Sequence, residues 1–413
     1  MQKDTHIAIR IEKAILSLVL IMSLLCFTGC SNFFGDETKI DFITPPDTSA
    51  VGVSYVPVLP NITGFGFPTQ ILAGSDQLLY VVDSAKQEIV CLNEAGVALS
   101  RLRIPGVTAI AQDRTLDLLA LGKDSINTGT ATEPRRYRVL TTIFRIGLKN
   151  AAYGLGTAVI KKKVTHPFYF SQNLSVNANP EAIRFTSIAV LPDNRYYVVR
   201  TGPDKDLLTG TPDDAVLLFD AADRFITTID VAGDGGASFN DFFKKPFAIS
   251  TYPPVGSVIS ATEVADFVVA NIDAVQDIVL KVKVIQANAG EEGISYSVKP
   301  LPTSGIAGAA GYLYGANRFL SPKGLAIASD ETKYIFVTDR DSLYQFSPDG
   351  VEGVRLRASN INKGYNKVSF GGRGSGPYQF NTPRGIAYAN RIVYVADAGN
   401  GRIVRYKLTT DFE

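Results

Sequence analysis

The densest run of potential ligand atoms in this 413-residue chain is the stretch Gly202-Pro203-Asp204-Lys205-Asp206-Leu207-Leu208-Thr209-Gly210-Thr211-Pro212-Asp213-Asp214. Alternate aspartates such as Asp204 and Asp206, with Asp213 and Asp214 behind them, can turn several hard oxygens toward one cation, which is the donor type calcium takes. The spacing is not that of an EF-hand, because Leu208 stands at the third ligand position and no glutamate closes the loop. Calcium at these four aspartates therefore competes with a plain solvated turn, and no other cofactor is expected. A second set is dispersed: Asp83, Asp339 and Asp397 recur at the ends of short apolar runs, Arg402 follows the last, and Arg200 and Asn271 stand at corresponding places. Side chains at strand ends cap turns through the local backbone, or face a ligand where loops gather. These six are the ligand-face candidates. Beyond residue 30 the chain holds one histidine, His166 beside Pro167, so a three-histidine zinc site is excluded. With no Gly-x-Ser-x-Gly elbow either, no residue is assigned as catalytic.

These residues need elements to position them, and the chain begins with one that is not part of any fold. Lys3, Arg10 and Lys13 precede an uncharged apolar run from Ala14 to Gly29, the layout of a secretory signal. The run is short for a membrane span, which needs about 20 apolar residues. It ends Phe27-Thr28-Gly29-Cys30 and resembles the lipobox of bacterial lipoproteins, with Phe27 where leucine is usual. The resemblance implies cleavage before Cys30, acylation of Cys30 and attachment to membrane lipid. Ser31, in place of aspartate, is compatible with outer-membrane sorting. Residues 1–29 are thus read as signal peptide, 30–50 as a lipidated tether and 51–413 as the folded domain.

The signal carries three basic and two acidic side chains; without it the chain's 41 basic and 40 acidic residues become 38 of each. A neutral, exported chain does not suit nucleic acid, whose binders show a basic excess or stripe. Arg135-Arg136 and Lys161-Lys162-Lys163 read as solvated strand faces. With Cys30 acylated, Cys91 has no partner for a disulfide and reads as a small buried hydrophobe.

After residue 60 short apolar runs alternate with Gly, Pro, Asp and Asn, and helical spacing is nearly absent. Leu79 to Val82, Tyr196 to Val199, Phe267 to Ala270, Tyr334 to Val337 and Val393 to Ala396 are apolar on both faces, so each must be covered on both sides. Before each such run comes an Ile or Leu, usually followed by a small residue: Ile71, Ile110, Ile188, Ile249, Leu325 and Ile386, at steps of 39, 78, 61, 76 and 61 residues. Four of these have a Phe-x-x-Pro lead-in, ending at Pro68, Pro246, Pro322 and Pro383. Proline is tolerated at the first residue of a strand. Six repeats of about four short strands predict an all-β, six-bladed β-propeller with insertions in its loops.

The last unit, Gly371-Gly372-Arg373-Gly374-Ser375-Gly376-Pro377-Tyr378-Gln379-Phe380-Asn381-Thr382-Pro383-Arg384-Gly385-Ile386-Ala387 and Val393 to Val404, resembles an NHL repeat. Units one and five resemble it through Tyr80-Val81-Val82-Asp83-Ser84 and Phe336-Val337-Thr338-Asp339. Units two, three and four differ, with Leu121, Arg200 and Asn271 where the family has Asp. The sixth unit stops after its third strand, and Val53 to Leu59 is an orphan strand; that strand is expected to complete the last blade and close the ring. The Gly-rich run before Phe380 leads into a strand rather than a helix, unlike a phosphate loop.

The resemblance implies a binding or scaffolding module for an envelope protein or extracellular ligand, rather than an enzyme. The alternative is a calcium-dependent hydrolase or lyase of the lactonase-like kind. Three or more carboxylate or Asn oxygens meeting at the central opening would distinguish it.

Overall fold

Val, Ile, Tyr and Phe dominate the repeated runs and favour half-buried extended backbone. The computed structural model describes residues 52–412 apart from 128, 130, 131, 133, 153, 166–179, 203–213, 233–241, 253–264, 273–279, 292 and 356–363. The signal, Cys30, the tether, Asp204, Asp206, Asp213 and His166 lie outside the described residues. Among those described, no helix is long and apolar enough to cross a membrane.

The strands form six antiparallel blades. The first runs Pro68–Ala73, Leu79–Asp83, Glu88–Leu92 and Ala98–Arg103. The second runs Ala109–Gln112, Leu118–Asn127, Tyr137–Gly147 and Val159–Thr165, and its middle pair is a long hairpin. The third comprises Arg184–Val190, Tyr196–Thr201, Ala215–Phe219 and Phe225–Thr228. The fourth comprises Pro246–Thr251, Phe267–Asn271, Val282–Gly290 and Gly293–Val298, with Val231–Ala232 added parallel to its outer strand. The fifth comprises Pro322–Ile327, Ile335–Asp339, Ser342–Phe346 and the short Phe370–Gly371. Between its last two strands an inserted hairpin pairs Val354–Arg355 with Tyr365–Asn366. The sixth takes Pro383–Ala389, Ile392–Asp397 and Arg402–Leu408 from the end of the chain and Tyr55–Pro57 from its beginning.

Each blade's first strand lies against the first strands of both neighbours, the sixth touching the first, so these strands line the axis of a ring. The apolar core is correspondingly divided. Six clusters of buried side chains fill the six gaps between neighbouring blades, as where Ile71, Val81 and Val90 of blade one meet Tyr394, Ala396 and Ile403 of blade six. This explains why second strands are apolar on both faces: Leu79–Asp83, Phe267–Asn271 and Ile335–Asp339 are buried throughout. Burying each large apolar side chain contributes about 1.5–3 kcal/mol.

The closing strand pairs Tyr55 with Leu408, Val56 with Lys407 and Pro57 with Tyr406. Its Tyr55 hydroxyl donates to Gln345 Oε1 of blade five at 2.5 Å, so the strand also ties two blades together. Blade six turns between its first two strands through Asn390 and Arg391, with φ of 50° and 60°. Two left-handed residues give the turn whose twist matches a tight hairpin.

Candidate functional site

Five of the six inner strands begin with a register shift directly after the lead-in: between Pro68 and Gln70, Phe185 and Ser187, Pro246 and Ala248, Pro322 and Gly324, and Pro383 and Ile386. A bulge re-aims the extra residue out of the ladder. The residues so placed include Thr69, Thr186, Phe247, Lys323 and Arg384, and all five line one cavity of about 260 Å³ at the axis. The fold therefore delivers side chains from successive blades to a common space.

The cavity lies at the lead-in end of the inner strands. Its wall alternates Phe185, Phe247, Ile249, Leu325 and Ile386 with four basic residues, Lys123, Arg184, Lys323 and Arg384. Hydroxyls of Thr69, Ser84, Thr108, Thr141, Thr186 and Ser187 and the amide of Gln70 complete the polar lining. Some of these are tied to the scaffold: Gln70 Nε2 donates to Ile110 O at 3.0 Å, and Thr108 Oγ1 donates to Phe185 O at 2.9 Å. Gly324 is required where blades five and six meet, because a Cβ there would lie 1.8 Å from Arg384 O.

Arg384 sits with its guanidinium carbon 5.6 Å from the centre of the Phe67 ring and 5.8 Å from that of Phe247. Its Nε is buried and has no hydrogen-bond partner. Burial pulls its pKa down from the usual arginine value. Burial also lowers that of Lys323, the neighbouring Arg384 charge lowers it further, and Asp339 opposes both.

No carboxylate, asparagine or histidine is among the described lining residues. Nor do the described residues contain a cluster of three His, Cys, Asp or Glu side chains able to hold a metal. Three carboxylate or asparagine oxygens meeting at the axis are thus not found among the described residues.

The six ligand-face candidates lie at the same end of the propeller, yet none lines the cavity. Asp83, Asp339 and Asp397 are buried beneath the lead-in segments. Asp83 accepts from the backbone amides of Gly66 at 2.7 Å and Phe67 at 3.0 Å. Asp339 accepts from Leu320 at 3.0 Å and Ser321 at 2.5 Å, and Asp397 from Asn381 at 2.7 Å. Asp83 and Asp339 so fix two residues each ahead of the bulge, and Asp397 one. Arg402 holds the sixth lead-in from the other side, donating to Asp397 Oδ2 at 2.7 Å and to the carbonyls of Ser375, Gly376 and Gln379. The Gly-rich loop therefore turns carbonyls toward an arginine, the opposite polarity to a phosphate cradle.

Blades three and four vary the device. Arg200 is fully buried opposite Phe185. Asn271, opposite Pro246, is also fully buried, and its side-chain oxygen and nitrogen have no hydrogen-bond partner. The amide of Lys245, which precedes Pro246, donates instead to Asp214 Oδ2 at 2.7 Å. Of the four aspartates considered for calcium, Asp214 is the one described.

Burial alone would raise the pKa of Asp83, but the amides of Gly66, Phe67 and Lys86 and the Lys86 ammonium outweigh it and hold the carboxyl below its usual value. A folded-state pKa below the unfolded one, about 3.9, adds stability that is complete above that value and lost as pH falls through the folded pKa. Asp83→Asn is expected to cost about 2 kcal/mol at neutral pH. In urea titrations the gap between variant and parent should close as pH drops below about 4.

Lys323 and Arg384 were not among the sequence candidates. Their signal is the doubled pattern Pro322-Lys323-Gly324 and Pro383-Arg384-Gly385, a basic residue held between a strand-opening proline and a glycine.

The NHL repeat family matches residues 380–406. No curated protein sequence matches the chain. Among solved structures, a gluconolactonase from Xanthomonas campestris is 9% identical with a TM-score of 0.47, over 86% of this chain and 97% of that one. An auxiliary nutrient binding protein from Bacteroides ovatus is 12% identical with a TM-score of 0.48, over 86% and 77%. Virginiamycin B lyase from Staphylococcus aureus is 12% identical with a TM-score of 0.42, over 86% and 99%. At such identities and scores these likenesses say nothing of activity. From its strand pairing and the matched repeat, the chain is a six-bladed β-propeller whose last blade carries an NHL repeat.

Proposed function

We propose that this chain is an exported bacterial lipoprotein, anchored through acylated Cys30, whose propeller is a binding module of the cell envelope. The signal layout and the Phe27-Thr28-Gly29-Cys30 sequence support the anchor, and Ser31 is compatible with the outer membrane. The observation that carries the binding role is the axial cavity, to which five blades each deliver a bulged side chain. A concave, mostly apolar space with a few converging polar groups is the usual form of a small-molecule site. The partner is an envelope protein or a ligand that reaches the lead-in end of the ring.

Acyl chains contribute about 0.8 kcal/mol per buried methylene, so several chains hold a protein firmly while one does not. The full-length protein is expected to enter the detergent phase on phase separation and to take up an alkyne-tagged fatty acid. Cys30→Ala should move almost wholly to the aqueous phase without label. Continued labelling of that variant would refute the anchor.

A further inference from the structure

We propose that the axial cavity is an anion site for a small organic acid, whose carboxylate sits between Lys323 and Arg384 while its apolar body rests on Phe247, Ile249 and Leu325. The inference rests on the binding-module reading and names its ligand class.

Charge is the first ground. The chain as a whole is balanced, with 41 basic and 40 acidic residues, yet the cavity gathers four basic side chains and no described carboxylate. Arg184 is exposed and Lys123 partly so, but Lys323 and Arg384 are half-buried beside one another, and Asp339 offsets this only in part at Lys323; an anion between the two would offset it further.

The second ground is how arginines are used elsewhere in this ring. Arg402 donates to one carboxylate and three carbonyls. Arg145 bonds the carboxylates of Asp113 and Asp223. Arg384 has the rings of Phe67 and Phe247 beside it, and its buried Nε bonds to nothing. A planar guanidinium held between rings with donors unused is set for a carboxylate, which it can bind through two parallel hydrogen bonds. Arg318 and Arg405 also leave a buried Nε without a partner, but they bond Glu352 and backbone carbonyls through their other donors, whereas no described residue hydrogen-bonds the Arg384 guanidinium.

Size and polarity complete the case. About 260 Å³ is below the range of about 300–1,000 Å³ that suits drug-sized ligands, so the occupant is compact. Phe247, Ile249 and Leu325 lie on the fourth and fifth blades beside Lys323, which suits an apolar body attached to the charged head more than a bare inorganic ion.

The test is calorimetric titration of the full chain in detergent with benzoate, the isosteric neutral benzamide and inorganic phosphate. Benzoate is expected to bind saturably and benzamide and phosphate at least tenfold more weakly. Lys323→Gln and Arg384→Gln should each weaken benzoate at least tenfold with the thermal midpoint retained. Equal binding of benzoate and benzamide, or unchanged binding in both variants, would overturn the anion site; phosphate binding as tightly as benzoate would overturn the apolar subsite. Dialysis against an envelope extract separates this inference from the reading beneath it. A neutral compound kept by the parent and lost by Thr69→Trp, which fills the cavity, overturns the anion class and leaves the binding module standing. If the parent keeps neither benzoate nor any extract compound, both fall.

Discussion

A chain that begins at residue 60 is expected to lose its single cooperative unfolding transition, or to unfold with a loss on the order of 5 kcal/mol. Tyr55–Pro57 is the outer strand of the last blade, and without it Arg402–Leu408 becomes an open edge. The loss goes beyond the three paired residues. Val58 N donates to Arg405 O at 2.8 Å, and Thr409 N donates to Ser54 O at 2.8 Å. Tyr55 is buried among Ala326, Leu343, Phe380, Tyr406 and Leu408, accepts from the Tyr378 hydroxyl at 3.2 Å and reaches Gln345 of blade five. Removing one fully buried aromatic costs about 3–5 kcal/mol, and an exposed edge invites pairing with another chain. Urea unfolding with light scattering reads both effects. A synthetic peptide covering residues 51–62, added in excess, should restore part of the stability. Truncation with an unchanged urea midpoint would mean that the ring closes without this strand.

Arg145→Met is expected to cost about 3–5 kcal/mol, because it strips the counter-charge from buried carboxylates rather than removing a pair. The Arg145 guanidinium bonds Asp223 through Nε at 2.9 Å and through Nη2 at 2.6 Å, contacts Asp113, and lies 3.7 Å from Asp117. All three carboxylates are buried. Burial opposes the arginine's charge, but Asp223 and Asp113 outweigh it and raise its pKa. Lys161 and Lys162, the other cations near this group, are half exposed and reach Asp117 and Asp223 from the rim. The network joins the third strand of blade two to the third and fourth strands of blade three, so its loss should loosen one interface of the ring. Arg145→Lys should recover only part, since an ammonium cannot match the forked contacts. Chemical denaturation at neutral pH measures both variants, and a change under 1 kcal/mol would show that the network is dispensable.

The ring, its blade number and its closure were legible because each rests on period and punctuation. Runs such as Leu79 to Val82 declared themselves two-sided, and the orphan at Val53 to Leu59 matched the missing strand of unit six. The capping of lead-ins by Asp83, Asp339 and Asp397 follows from a residue type recurring at a fixed place. The cavity lining was not legible from alternation. A bulge shifts the pleat by one residue at the start of five of the six inner strands, so the rule that assigns alternate side chains to alternate faces fails at Thr69, Phe247, Lys323 and Arg384. The Arg145 network was hidden for another reason: its partners Asp113 and Asp223 lie 32 and 78 residues away, the first brought up by strand pairing within blade two and the second only by the stacking of blades. Blade four shows the limit of positional analogy, since Asn271 takes the family's Asp position while Asp214, from the preceding blade, bonds the lead-in amide.

Under the proposed function the propeller is expected to hold a ligand and return it unchanged. Equilibrium dialysis of the full chain against an envelope extract, with mass spectrometry of both chambers over time, reads this out. The expected result is a compound that accumulates with the protein, is recovered chemically unchanged, and no longer accumulates with the Lys323→Gln, Arg384→Gln double variant. Steady conversion of any extract compound to a product by the parent, abolished in that double variant, would contradict it.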